Sequence, residues 1–144
     1  MGRRRQLILF RILFFLYVTA VLLLCFGHFD SKPDVPFTIL GIPTDKVVHF
    51  CMFFPFPILA FLAFDPFTQT VPSTLAFAGA TLAVGFLLAL GTEWGQATFT
   101  NYRSGDRMDL LADSAALLLS SLIVIVWDIF KQRRHSPHPC EKSS

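Results

Sequence analysis

The chain has 144 residues, 53% hydrophobic and 15% aromatic, with seventeen Phe, only 15% charged side chains and a net charge of +2. A soluble domain carries about 25% charge, whereas no Asp, Glu, Lys or Arg occurs here in 12–29, 47–64 or 66–92, and 110–130 holds only Asp113 and Asp128. The length holds one domain. Charge-free runs of this size exclude an ordinary soluble globule and a disordered chain. They predict an all-α integral membrane protein, because roughly 20 apolar residues at about 1.5 Å each cross a hydrocarbon core of about 30 Å.

The first helix is predicted over 7–26, after Arg3, Arg4 and Arg5, with Arg11 near enough to the end for its stem to snorkel to the headgroups. A basic start before an apolar run also opens a secretory signal peptide. This run is long, however, and no small-x-small cleavage site follows it. In Leu22-Leu23-Leu24-Cys25 the bulky Leu24 stands where a lipoprotein signal needs a small residue. An uncleaved helix is the better reading.

The second span, 47–64, lies between Asp45-Lys46 and Asp65-Pro66 and contains Pro55 and Pro57. Each proline lacks an N–H and clashes with the carbonyl four residues back, which predicts a kink that serves helix packing more than a functional hinge. Pro66 and Pro72 mark a loop, so the third helix is placed at 73–90. Its Ala76, Ala78, Gly79, Ala80, Ala83 and Gly85 allow a neighbouring helix, or a second copy in a homo-oligomer, to approach closely. The fourth helix is predicted over 108–130. Lys131, Arg133, Arg134 and His135 follow it, and 136–144, with Pro137 and Pro139, reads as a disordered tail.

Residues 1–135 thus form one four-helix transmembrane bundle. Basic residues at both ends place both termini in the cytoplasm and require an even number of spans, which four satisfies. The 65–72 loop, cytoplasmic in this topology, has no Lys or Arg, so the orientation rests on the chain ends. The basic residues sit beside membrane helices and carry no nucleic-acid signal. Cys25, Cys51 and Cys140 are scattered, which gives neither a disulfide framework nor a CxxC metal site.

The remaining polar residues gather at one end of this topology. Asp45 and His49 open the second helix four residues apart, hence on one face. Glu93 and Gln96 close the third helix or begin its loop. Arg103, Asp106 and Arg107 follow, and Asp109 and Asp113 open the fourth helix four apart. In an alternating bundle all three pairs fall at the outer surface. Asp45 and Asp109 have a bland reading as carboxylates favoured by helix N-termini, and His49 as a packed core histidine. Asp113 lies about 6 Å deeper than Asp109. A carboxylate there costs up to about 2.5–3.5 kcal/mol and calls for an interior partner, with His49, Gln96 or Arg103 as candidates.

Three chemistries fit this set. Asp45, His49, Glu93, Gln96, Arg103, Asp109 and Asp113 are candidate ligand-binding residues, with Arg103 steadying an anion. His49 and Asp113 are candidates for acid–base catalysis. His49, Glu93, Asp109 and Asp113 could hold a divalent cation, and one imidazole among oxygens suits Mg²⁺, Mn²⁺ or Ca²⁺ better than Zn²⁺. The plain structural alternative is an ion-pair network that fixes helix register. The chain contains no nucleophile elbow, Gly-rich phosphate loop or HExxH.

At these residues the sequence resembles the VanZ-like family of small bacterial membrane proteins. The resemblance is carried by Asp45-Lys46-x-x-His49-Phe50, then Glu93-x-x-Gln96, Arg103 and Asp109-x-x-x-Asp113, over roughly 45–120. It implies a multi-pass protein of the bacterial cytoplasmic membrane and cell envelope, in a family whose namesake is associated with teicoplanin resistance. Two function classes follow. One is a binding protein whose outward polar pocket takes an envelope lipid or glycopeptide-like ligand. The other is a hydrolase or transferase acting on a lipid-linked substrate, with or without a metal. A proton-coupled transporter ranks last, since four short helices leave little room for a gated path.

Overall fold

In the computed structural model of the chain, residues 2–26, 38–39, 42–99 and 107–135 are described. Five α-helices follow in order: α1 Arg3–Phe26, α2 Thr44–Phe53, α3 Pro55–Ala63, α4 Val71–Phe99 and α5 Arg107–His135. A 3-10 turn at Asp65–Phe67 joins α3 to α4. Before α2, β1 (Thr38–Ile39) and β2 (Ile42–Pro43) pair antiparallel, with Thr38 opposite Pro43 and Ile39 opposite Ile42. Neither short strand was expected from the sequence. With α2 and α3 counted as a single pass, four helical segments are long and apolar enough to cross a membrane. The protein is the all-α four-helix bundle that the charge-free runs predict.

Pro55 opens α3, so the second pass is divided within the span where a kink was expected. The second pass breaks at Phe54, which keeps helical angles (φ −58°, ψ −41°) and donates its N–H to the Phe50 carbonyl at 3.0 Å. The Tyr17 hydroxyl donates to the Met52 carbonyl beside this break. In an apolar medium every helix-end carbonyl needs such a donor. Arg11 Nε serves Ala63 O at the end of α3 (3.2 Å), and Gln96 Nε2 serves Cys25 O near the end of α1 (3.0 Å). Arg11 therefore turns onto the bundle, with its guanidinium 5.6 Å from the Phe64 ring centre, instead of snorkelling away from it.

α4 is longer than the span read from the sequence, running on from 90 to Phe99. Its start is set by Thr70 and Ser73, which cap each other. Thr70 N donates to Ser73 Oγ (3.0 Å) and Ser73 N to Thr70 Oγ1 (3.4 Å). Pro72 sits in that first turn, where its missing N–H has no partner to lose. Of the small residues in this helix, Ala78 and Gly85 face the interior, while Ala76, Gly79, Ala80 and Ala83 are exposed. A Cβ on Gly85 would lie 2.7 Å from Leu117 Cδ2 and 3.2 Å from Phe56 Cδ1. That glycine is what lets α4 close onto α5 and α3.

α5 packs along α4 and α2, and α1 along α3. Val21, Cys25, Phe53, Phe56, Ala89, Ala116 and Leu117 form the main core, and Phe61, Ala78 and Val124 a second one. Ile8, Phe15, Leu16 and Leu23 of α1 and Leu118, Leu122 and Trp127 of α5 point outward. Lipid tails are as apolar as these side chains, so close approach and buried polar bonds hold the helices together.

Asp65 ties one end of the bundle. Arg3 Nη2 lies 3.0 Å from its Oδ2, and Lys131 bonds its Oδ1. The start of α1, the α3–α4 turn and the end of α5 are therefore neighbours. The start of α2, the end of α4 and the start of α5 meet at the other end. Residues 136–144, read from the sequence as a disordered tail, lie outside the described residues.

Candidate functional site

The second helix tip is where the polar residues meet. His49 lies in the second turn of α2, Glu93 in the last turns of α4, Asp109 in the first turn of α5, and Asp113 one turn deeper. All four side chains are buried: His49 is 1% exposed, Asp113 0%, and Glu93 and Asp109 8% each. His49 Nδ1 lies 3.2 Å from Asp113 Oδ1 and 3.4 Å from Oδ2. Its Nε2 faces Asp109 Oδ2 at 3.7 Å, and Glu93 Oε1 lies 3.9 Å from Nδ1. The partner required for Asp113 is His49. The spacing of four residues in α5 puts both aspartates on the buried face.

The other candidates are distributed around this centre. Asp45 is exposed and lies 3.2 Å from Lys46 Nζ. Sharing a helix face with His49 is not enough to bring it in. Gln96 is buried, with its amide nitrogen on Cys25 O. Arg107 opens α5 on an exposed surface. Arg103 and Asp106 lie outside the described residues. Lys46 had no assigned role in the sequence reading, yet its ammonium bonds Asp109 Oδ1 and bridges that residue to Asp45. Its position next to Asp45 was the available signal.

A second buried polar set lies toward the opposite end. Thr74 Oγ1 donates to Asp128 Oδ2 at 2.6 Å, and Gln132 Nε2 donates to Asp128 Oδ2, Thr74 Oγ1 and Thr68 O at 2.7–3.0 Å. Asp128 and Gln132 are one turn apart, a helix-spaced pair the sequence did display. At the adjoining end, burial opposes ionisation of Asp65. Hydrogen bonds from Lys131 and Arg3, with their charges, outweigh that and hold its carboxyl below the ordinary 3.8.

The His49 centre supports two kinds of chemistry. An imidazole held by a carboxylate can pass a proton. One ligand atom each from His49, Glu93 and Asp109 also lies within 4.8 Å of the others, a spacing that a metal ion can draw together. Fold and site together define a four-span membrane protein with a buried histidine–carboxylate centre near one end. No family model matches the chain, and no curated protein or solved structure does either.

Proposed function

We propose that this is a VanZ-like protein of a bacterial cytoplasmic membrane, with both termini in the cytoplasm. In this reading its His49–Glu93–Asp109–Asp113 centre lies toward the outer face and takes the polar part of a lipid-linked or glycopeptide-like envelope ligand. The supporting observation is the convergence of four ionisable side chains from three helices, each at most 8% exposed, at the tip remote from Arg3 and Lys131. Carboxylates in a span are costly, and such groups mark functional sites by default. The orientation rests on the basic residues clustered at the other tip.

The test is to express Glu93→Gln and Asp113→Asn in cells and compare teicoplanin tolerance with membrane abundance. Loss of tolerance at unchanged abundance supports the ligand site. Parallel loss of both, or no tolerance conferred by the unaltered chain, removes the glycopeptide reading.

A second reading, a hydrolase or transferase acting on a lipid-linked envelope substrate, is favoured by the His49–Asp113 contact. It places His49 in acid–base work with Asp113 holding its ring. Turnover of such a substrate by the purified chain, abolished in His49→Gln, would select this reading over simple binding.

A further inference from the structure

We infer that His49, Glu93 and Asp109 form a divalent-cation site, with Asp113 fixing the His49 ring, and that the bound cation is what lets this acidic centre take an oxyanion-bearing ligand. The second half of this inference rests on the ligand-binding reading above. The cation site itself stands on geometry.

The two ring nitrogens of His49 are in different situations. Asp113, fully buried, is in hydrogen-bonding range of Nδ1 through both oxygens. A carboxylate there accepts Nδ1–H, which in the neutral ring leaves the Nε2 lone pair pointing at Asp109. Nε2 is turned instead toward Asp109, in a residue only 1% exposed. The facing Asp109 Oδ2, at 3.7 Å, is beyond hydrogen-bonding distance. Two acceptors facing each other in a buried space repel unless something positive lies between them. Two ligands of one cation, each about 2.2 Å from it, stand about 3–3.6 Å apart, close to the separation found.

The neighbouring groups are arranged to suit. Lys46 occupies Asp109 Oδ1, so that Oδ2 is the oxygen turned to the imidazole. Glu93 lies against the same ring, with Oε1 3.9 Å from Nδ1, and one ligand atom from each of His49, Glu93 and Asp109 lies within 4.8 Å of the others. The Asp113–His49 contact repeats the way proteins orient a metal-binding histidine, with a carboxylate on the nitrogen that does not bind. One imidazole with two carboxylates favours Mn²⁺ or Mg²⁺ over Zn²⁺. Three protein ligands leave coordination positions for water or for a ligand oxygen. Without the cation, a phosphate or carboxylate entering here would meet three carboxylates.

The experiment uses the full chain in nanodiscs, stripped with EDTA and titrated with Mn²⁺, with binding read by electron paramagnetic resonance and by thermal unfolding. Saturable binding of one Mn²⁺ per chain is expected. Asp113→Asn should weaken it about 10–100-fold, Glu93→Gln and Asp109→Asn should weaken it more, and Asp45→Asn should leave it unchanged. Circular dichroism keeps folding separate from binding, and a variant that fails to fold is replaced by His49→Gln. No saturable Mn²⁺ binding, or equal affinity in folded Glu93→Gln and Asp109→Asn, overturns the site.

Inorganic phosphate and vesicles of phosphatidylglycerol or phosphatidylcholine then serve as oxyanion probes. Binding of phosphate or of phosphatidylglycerol that requires Mn²⁺ and vanishes with EDTA is expected, and which of them binds separates a free anion from a lipid headgroup. Oxyanion binding indifferent to EDTA overturns the cation's role and leaves the ligand reading. Mn²⁺ binding with no oxyanion response overturns the ligand reading and leaves the cation site.

Discussion

His49 and Asp113 are 64 residues apart in sequence, and their side chains meet at 3.2 Å with neither reachable by solvent. This contact joins α2 to α5 inside the bundle. Removing Asp113 leaves the buried Nδ1–H of His49 without its acceptor. Asp113→Leu is therefore expected to cost about 1–3 kcal/mol, whereas Asp113→Asn, which keeps an acceptor for Nδ1–H, should cost about 1 kcal/mol or less. The double substitution His49→Leu with Asp113→Leu should recover part of the larger loss. Unfolding of the four proteins in one detergent checks this; equal losses for Asn and Leu would mean the contact carries no energy.

Gly85 predicts a second asymmetry. Leu117 is 1% exposed and cannot swing clear, so Gly85→Ala places its methyl group against Leu117 and Phe56. Overpacking of this kind costs about 1–3 kcal/mol. A methyl group on Gly79 would meet nothing within 4 Å, and Gly79→Ala should be neutral or slightly stabilising. Adding Leu117→Ala to Gly85→Ala should relieve the clash while opening a cavity elsewhere. Melting temperatures of the three variants decide the matter.

Asp65 predicts a pH dependence. Its carboxyl titrates below the ordinary 3.8 in the folded chain because Lys131 and Arg3 hold it charged. The folded state therefore binds this proton more weakly than the unfolded chain does. The contribution is complete above the ordinary value and is lost as pH falls through the lowered one. Arg3 is 70% exposed, so each pair contributes at most about 1 kcal/mol and weakens with salt. Asp65→Asn should lower the melting temperature at pH 7, and its difference from the unaltered chain should shrink as pH falls below the ordinary 3.8. A difference that stays constant as the pH is lowered below that value would contradict the assignment.

The topology predicts opposite accessibilities. In a chain with Cys25, Cys51 and Cys140 replaced by Ser, Asp45→Cys should react with a membrane-impermeant thiol reagent from outside intact cells. Arg134→Cys should react only after the membrane is opened. Both side-chain positions are exposed at opposite tips of the bundle. Reaction of both from the same side would discard the four-pass topology.

Particular residues show what could be read early. Pro55 and Pro57 announced the break at Phe54, because a missing N–H acts through its own helix. The end of α4 was less legible. Glu93 and Gln96 look like loop residues by polarity, but the helix carries them because their side chains find partners on other helices. Asp45 and His49 share a helix face in sequence, yet one is exposed and the other buried. Helical spacing says which residues point the same way and nothing about how far a neighbouring helix extends alongside them.

What sequence alone determined is the number of passes and their apolar character, since a bilayer demands a minimum length of uncharged helix and nothing else in the chain can satisfy it. Which polar groups touch was decided only by tertiary structure. Lys46 against Asp109, Gln96 against the Cys25 carbonyl and His49 against Asp113 each join segments more than 60 residues apart. Those pairings depend on helix register and closeness, set by steric details such as the absent side chain at Gly85.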